Sequence, residues 1–248
     1  MTTGPHISIK AEPLFNIAGF HITNSLFSSI IVTILFLLLA LNYSAELKKE
    51  RKNGLFYFTH FLLLQIYNLF NSVVGSKISV FFPWLGAFFL YILFENWFGL
   101  LPGAGSILLR VKEAEGFAYA PLFRANTADL NTTLVLGIVA IILVQYYGIK
   151  YVGFTGYIKK YINFSGPMAF VLGILEIVSE ISRIISFCFR LYGNIFAGEV
   201  LLVIISFLVP VLASFPFLMM EIFVGLIQAL VFSMLTSVFF DLATVKHH

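Results

Sequence analysis

Charge is scarce in this chain: Asp, Glu, Lys and Arg make up 11% of its 248 residues, where a soluble domain carries about 25%. Cysteine is nearly absent. Cys188 is the single one, which excludes an intrachain disulfide, and its apolar helical surroundings predict an inert thiol. No glycine-rich phosphate loop is present, so nucleotide chemistry has no seat here. The chain has no HExxH pair, no paired catalytic Asp and no Ser/Lys or Ser/His arrangement, which argues against an intramembrane hydrolase. Nothing in it calls for a metal or a cofactor. The net charge of +3 is too small to point to nucleic acid. No internal repeat or inverted half is visible, which disfavours a secondary transporter. The N-terminus has no basic segment leading straight into an apolar run, so no cleaved signal peptide is expected.

What the chain does contain is apolar. Hydrophobic residues make up 60%, with 29 Phe, and the mean hydropathy is +0.97. This composition predicts an all-α, polytopic membrane protein forming one membrane domain. Residues 1–24, with Pro5 and Pro13, read as an extramembrane arm. A first span covers 25–45 and is followed by Lys48, Lys49, Arg51 and Lys52. The positive-inside rule puts that cluster in the cytoplasm and the N-terminus outside. Residues 55–76 carry His60, Gln65, Asn68, Asn71 and Ser72 near helical spacing, a polar stripe that suits a helix lying in the membrane interface. A second full span there is the alternative, and it would invert the topology downstream.

Further spans are expected over 78–101, which includes Pro83 and the single charge Glu95, and over 130–149. Pro102, Gly103, Ala104 and Gly105 end the former. Arg110, Lys112, Glu113, Glu115 and Arg124 make the following segment a mixed-charge outer loop, and Asp129 or Asn131 is placed to cap the next helix. Lys150, Lys159 and Lys160 hold its far end inside. Residues 165–209 are either one steeply inclined helix or two spans with a turn near Gly193 and Gly198. A single helix over residues 169–209 would be about 60 Å long, against a hydrocarbon core of about 30 Å. Pro210 and Pro216 mark a bend before the last helix, 216–245, which ends at a cytoplasmic Lys246; His247 and His248 are given no role.

Those last two helices hold ionisable groups where the bilayer penalises them. A charge at the membrane centre costs roughly 2.5–3.5 kcal/mol on insertion scales. Helical periodicity places Glu176, Ser179, Arg183, Ser186, Arg190 and Asn194 along one side of one helix, with Glu180 at its margin, a polar track about 27 Å long. Arg183 with Glu176 or Glu180 suits a structural ion pair as well as a functional group. Arg190 has no carboxylate three or four residues away, so its partner is expected from another helix or another chain. Glu199 points half a turn round from it. Glu221 is the lone formal charge between Leu201 and Phe240, with Gly225 and Gln228 on its face, and a lone buried acid suits proton exchange better than permanent ionisation. Its alternative is a neutral acid bonded to a backbone carbonyl. Gly193, Ala197 and Gly198 would admit close helix contact, either within the chain or with another.

These residues match a family. Arg190-Leu191-Tyr192-Gly193-Asn194, then Ala197-Gly198-Glu199, resembles the signature of subunit a of the rotary F-type ATP synthase. So do Gln228-Ala229 with Leu235-Thr236, the run from Asn126 to Thr133, and Asn96 with Leu100-Leu101-Pro102. The resemblance implies a proton-conducting stator beside a rotating ring of subunit c. It also implies a subunit b peripheral stalk, the remaining synthase subunits, a bacterial plasma membrane, and H⁺ or Na⁺ as the ion. By the same resemblance, Arg190 is the essential cation facing the ring carboxylate. Glu199, Asn194, Gln228 and Glu176 line two half-channels, Glu221 stands where some members have His, and the last two helices form a tilted hairpin. Glu180, Arg183 and Ser186 join the path as neighbours. Gly99 stands where some relatives carry an acid, so the outer entrance is expected to be lined differently. The competing readings are a stand-alone channel or ion-coupled carrier, which needs a complete path in one chain, and a structural scaffold, which needs no charge at Arg190.

Overall fold

The structure is a computed structural model, and it describes residues 11–17, 20–101, 107–113, 116–161, 166–209 and 214–245. Lys246, His247, His248, Pro210 and the 102–105 breaker lie outside the described residues. The order of elements is a hairpin β1 (Pro13–Ile17) and β2 (Phe20–Thr23), helices α1 (Asn24–Leu47), α2 (Gly54–Val74) and α3 (Ile78–Gly99), a second hairpin β3 (Leu108–Glu113) and β4 (Gly116–Pro121), then α4 (Leu130–Val152), α5 (Phe154–Tyr161), α6 (Pro167–Leu208) and α7 (Ser214–Thr244). The fold is all-α apart from the two antiparallel hairpins. Among the described residues, five stretches are long and apolar enough to cross a membrane: α1, the α2–α3 run, α4, α6 and α7.

Local sequence accounts for the boundaries. Thr23 Oγ1 accepts from the Leu26 N–H at 3.3 Å to start α1. Asp129, not Asn131, caps α4, its carboxylate accepting from the Asn131 N–H at 2.9 Å. Gly75, at φ +60°, supplies the left-handed residue that ends α2 before a short 3-10 turn, Gly75–Lys77. Pro83 sits within α3 without ending it, and Pro216 falls in the first turn of α7, where a missing N–H costs nothing.

Helix α3 is the centre of the bundle and packs chiefly on α7. Phe81 and Phe240 are fully buried and stack at 4.6 Å between centroids. Tyr147 of α4 stands edge-on to Phe81 at 5.0 Å, and its hydroxyl accepts from the Trp84 indole at 3.0 Å. Lys77 donates to Thr244 Oγ1 at 2.8 Å and to the Thr244 carbonyl at 3.3 Å. A cation there closes the C-terminal end of α7, where the helix dipole is negative.

Helix α2 buries Phe56, Phe70 and Val74, while Gln65, Asn68, Asn71 and Ser72 are exposed along its outer side. At the other end of the bundle the loop before α4 is buried rather than peripheral. Arg124 to Ala128 are all buried, and the stretch forms a 3-10 turn, Asn126–Ala128, packed on α1, α3, α4 and α6. Gly99 explains how α3 tolerates it: a Cβ there would meet Ala125 Cβ at 2.5 Å and the Ala125 backbone N and Cα at 2.9 Å. No acid fits at position 99 of this chain.

Candidate ion-translocation site

Pro167 to Leu208 is one continuous helix of 42 residues. That is about 63 Å at 1.5 Å per residue, so the alternative of two spans is ruled out. Gly193 and Gly198 remain helical, because each lowers helix propensity by only about 1 kcal/mol and α4 and α7 pack along the segment.

The predicted polar track has a bonded N-terminal end and an exposed centre, and a second cluster lies off the track. At the N-terminal end, Arg183 Nη2 lies 3.8 Å from Glu176 Oε1, and its guanidinium covers the Phe239 ring of α7 at 4.6 Å. Glu180 turns elsewhere: it accepts hydrogen bonds from Gln145 Nε2 of α4 and from the Tyr161 hydroxyl of α5. Burial, and then the Glu180 acceptor, push the Tyr161 phenol above its ordinary pKa, so that hydroxyl remains a donor.

At the centre, Ser186, Arg190 and Asn194 are exposed. Arg190 Nη2 donates to Ser186 Oγ at 3.1 Å, and among the described residues no carboxylate of the chain pairs with it. A Cβ added to Gly193 would meet nothing within 4 Å, and Ala197 is also exposed. The chain itself leaves the small residues beside Arg190 uncovered.

The second cluster, off the track, faces inward. Glu199 Oε2 accepts from Arg124 Nε at 3.2 Å, and the Arg124 side chain is only 4% exposed. Glu221 of α7 is buried and stands against Gly198: a Cβ there would lie 2.0 Å from both Cδ and Oε1 of Glu221. Gly198 is therefore used inside the chain, unlike Gly193. Glu221 Oε1 receives no hydrogen bond among the described residues. No bond joins Glu199 to Glu221; the former is held by Arg124 and the latter by the gap at Gly198. One turn further on α7, the Gly225 carbonyl accepts from Asn96 Nδ2 at 2.9 Å, and Asn96 Oδ1 accepts from Thr127 Oγ1 at 2.6 Å. Gln228 is buried, on the same side of α7 as Glu221 and Gly225. Among the described residues, no group of three or more His, Cys, Asp or Glu is placed to hold a metal ion.

A run with this arginine helix, this α7 and this inserted turn can be compared with known proteins along nearly its whole length. The model of the family described as "ATP synthase A chain" matches residues 26–241. The chain belongs to the ATP synthase A chain family. It is 32% identical to ATP synthase subunit a of Gloeobacter violaceus over 216 residues, covering 86% of this chain and 81% of that protein. It is 30% identical to the chloroplastic subunit a of Stigeoclonium helveticum over 245 residues, covering 98% and 93%. With the subunit a of Helicobacter pylori strain Shi470 it shares 29% over 234 residues, covering 91% and 93%. Membership in this family and the five apolar helices make it an integral membrane protein.

Sequence reasoning missed Arg124 as the partner of Glu199. It read as one charge among several in an outer loop, and its partner lies 75 positions away. The bond to a charged group contributes about 1.5–3 kcal/mol, and the lower end applies because Glu199 is one-third exposed. Arg124→Gln should lower the thermal stability of the assembled complex in detergent by that amount. An unchanged melting temperature would reduce the pair to a surface contact.

Proposed function

We propose that this chain is the proton-translocating stator subunit of an ATP synthase membrane sector. The reading rests on one observation above the others: Arg190 stands on the uncovered face of α6, bonded among the described residues only to Ser186, with Gly193, Asn194 and Ala197 leaving room beside it. A guanidinium stays protonated at any working pH. In this account it meets carboxylates carried past by a rotating ring of subunit c and blocks a direct leak between two half-channels. Glu199, Glu221, Asn194 and Gln228 serve the outer half and Glu176 the inner, with Arg183, Glu180 and Ser186 holding the track in register. Subunit b and the soluble subunits complete the assembly. One proton crossing 100 mV gains about 2.3 kcal/mol, so several must pass for each ATP made.

The proposed setting is a bacterial plasma membrane, with the N-terminus outside, the C-terminus in the cytoplasm and α2 along the interface. A stand-alone channel fits less well, because it would need its essential cation inside the bundle. The test is a complex purified with and without this chain and placed in vesicles. With it, ATP hydrolysis should acidify the lumen; without it, hydrolysis should continue with no acidification. Equal acidification in both would overturn the reading.

Glu221→Gln follows as a sharper prediction. The amide fills the same gap at Gly198 but cannot release a proton, so flux through the assembled complex should fall by at least about tenfold. Wild-type flux would limit Glu221 to packing.

A further inference from the structure

Glu95, on α3, is the one acid of that helix. It is 0% exposed, and neither carboxyl oxygen receives a hydrogen bond. Its polar neighbours are the Tyr91 and Ser29 hydroxyls, which bond each other at 3.0 Å instead. No cation pairs with Glu95 among the described residues. Ionising it in place would strand a charge without a counter-ion, and even the neutral acid leaves buried polar atoms unmet, at about 1–3 kcal/mol. An apolar side chain would avoid both costs.

The surroundings give the carboxyl a use. From Tyr91 a polar chain continues outward through the Asn126 amide: Asn126 Nδ2 donates to the Tyr91 hydroxyl at 3.5 Å, and Thr132 Oγ1 donates to Asn126 Oδ1 at 2.8 Å. Thr132 is only half-buried. Inward, the next residue Asn96 bonds the Gly225 carbonyl at 2.9 Å, one turn from Glu221. Glu95 thus stands at the inner end of a polar chain that reaches the rim, one residue along α3 from the Asn96 that bonds α7. The groups facing it are neutral: Tyr91 from its own helix and Ser29 from α1, with Asn126 behind them. Arg124, in the same inserted loop, is bonded to Glu199. Position 99, one turn along α3, is closed to any side chain by Ala125.

We propose that Glu95 is a further proton-carrying residue on the half-channel that runs past the Asn126–Ala128 turn. The Tyr91 or Ser29 hydroxyl passes its proton to one carboxyl oxygen and takes up another from water on its outward side, while the O–H bond at the other carboxyl oxygen breaks and its proton goes by way of water to the Glu221 carboxylate on α7. The carboxyl ends as it began, neutral. This inference rests on the stator reading above, and its test separates the two.

The test uses the complete ATP synthase complex in vesicles, with proton flux followed by a pH-sensitive dye and chain content by immunoblot. Glu95→Gln should lower flux at least about tenfold, in the range of a lost acid–base group. Glu95→Asp should retain measurable flux with a displaced pH profile, which a packing role would not produce. Tyr91→Phe keeps the shape and removes the hydroxyl beside Glu95, and should lower flux at least about threefold. Should Glu95→Gln fail to assemble, Tyr91→Phe decides. Wild-type flux in an assembled Glu95→Gln, or in Tyr91→Phe, overturns the proposal. If Arg190→Ala is inactive while Glu95→Gln is normal, this inference alone falls. If Arg190→Ala is also normal, the stator reading falls with it.

Discussion

Replacing Arg190 by alanine should abolish ATP-driven proton pumping, by at least about a hundredfold, while the complex still assembles. Assembly survives because the side chain contributes little to the fold: it is exposed, and its one bond among the described residues is to Ser186 at 3.1 Å. Exposed substitutions away from such features usually change stability by less than about 0.5 kcal/mol. Pumping fails because no other cation is available at that position. Arg183, seven residues earlier, is held by Glu176 and Phe239, and Arg124 by Glu199. Arg190→Lys keeps the charge but loses the planar fork and lets the charge titrate, so it should rank between wild type and alanine. Dye-monitored acidification of vesicles, normalised to the chain content of the complex, measures both variants. Normal pumping by the alanine variant would refute the role given to Arg190.

Gly198→Ala should be the most damaging single methyl group in the site. The added Cβ would lie 2.0 Å from the Glu221 carboxyl carbon, far inside van der Waals contact. The atoms it meets are the tip of a flexible side chain, not backbone. The helices can therefore stay together while the carboxyl is expelled from its place between α6 and α7. Flux should fall about as far as in Glu221→Gln, by at least about tenfold. The double variant Gly198→Ala/Glu221→Gln should then be scarcely worse than either single one, since both remove the same group, and neighbours that share a function do not add. Additive losses would show that Gly198 acts independently of Glu221. Gly193→Ala is the internal contrast, because its Cβ would meet nothing within the chain. Any large effect there reports on a partner.

How much could be read without coordinates varies with the physics involved. Interactions set by helical periodicity were legible. Glu176 and Arg183, seven apart, fall on one face, and they are 3.8 Å apart in the structure. The absence of a same-face carboxylate near Arg190 was legible too, and so was the membrane character of the chain, since both follow from spacing and hydropathy. The continuity of α6 was not, because hydropathy reports composition and not chain direction. Glu180 shows another limit. Periodicity put it at the margin of the track, but its bonds to Gln145 and Tyr161 depend on how α4 and α5 dock. Residues 106–128 read as an outer loop on charge alone. In the structure a hairpin occupies much of that stretch, and the segment after it enters the bundle, burying Arg124 against Glu199. Long-range pairing of this kind leaves no periodic signal. The burial of Glu95 was hidden for the same reason: a single acid in an apolar run looks identical whether it faces lipid, protein or water.

The account as a whole places the Arg190 face of α6 against a ring of small hairpin subunits. Cysteines introduced at Ser186 and Asn194, which are exposed, and at Leu191, which is 1% exposed, test this in a Cys188→Ala background by oxidative or bifunctional cross-linking within the intact complex. Cross-links from positions 186 and 194 to the ring subunit, and none from position 191, are the predicted result. Exposed positions that yield no ring adduct while the complex remains assembled and active would contradict it.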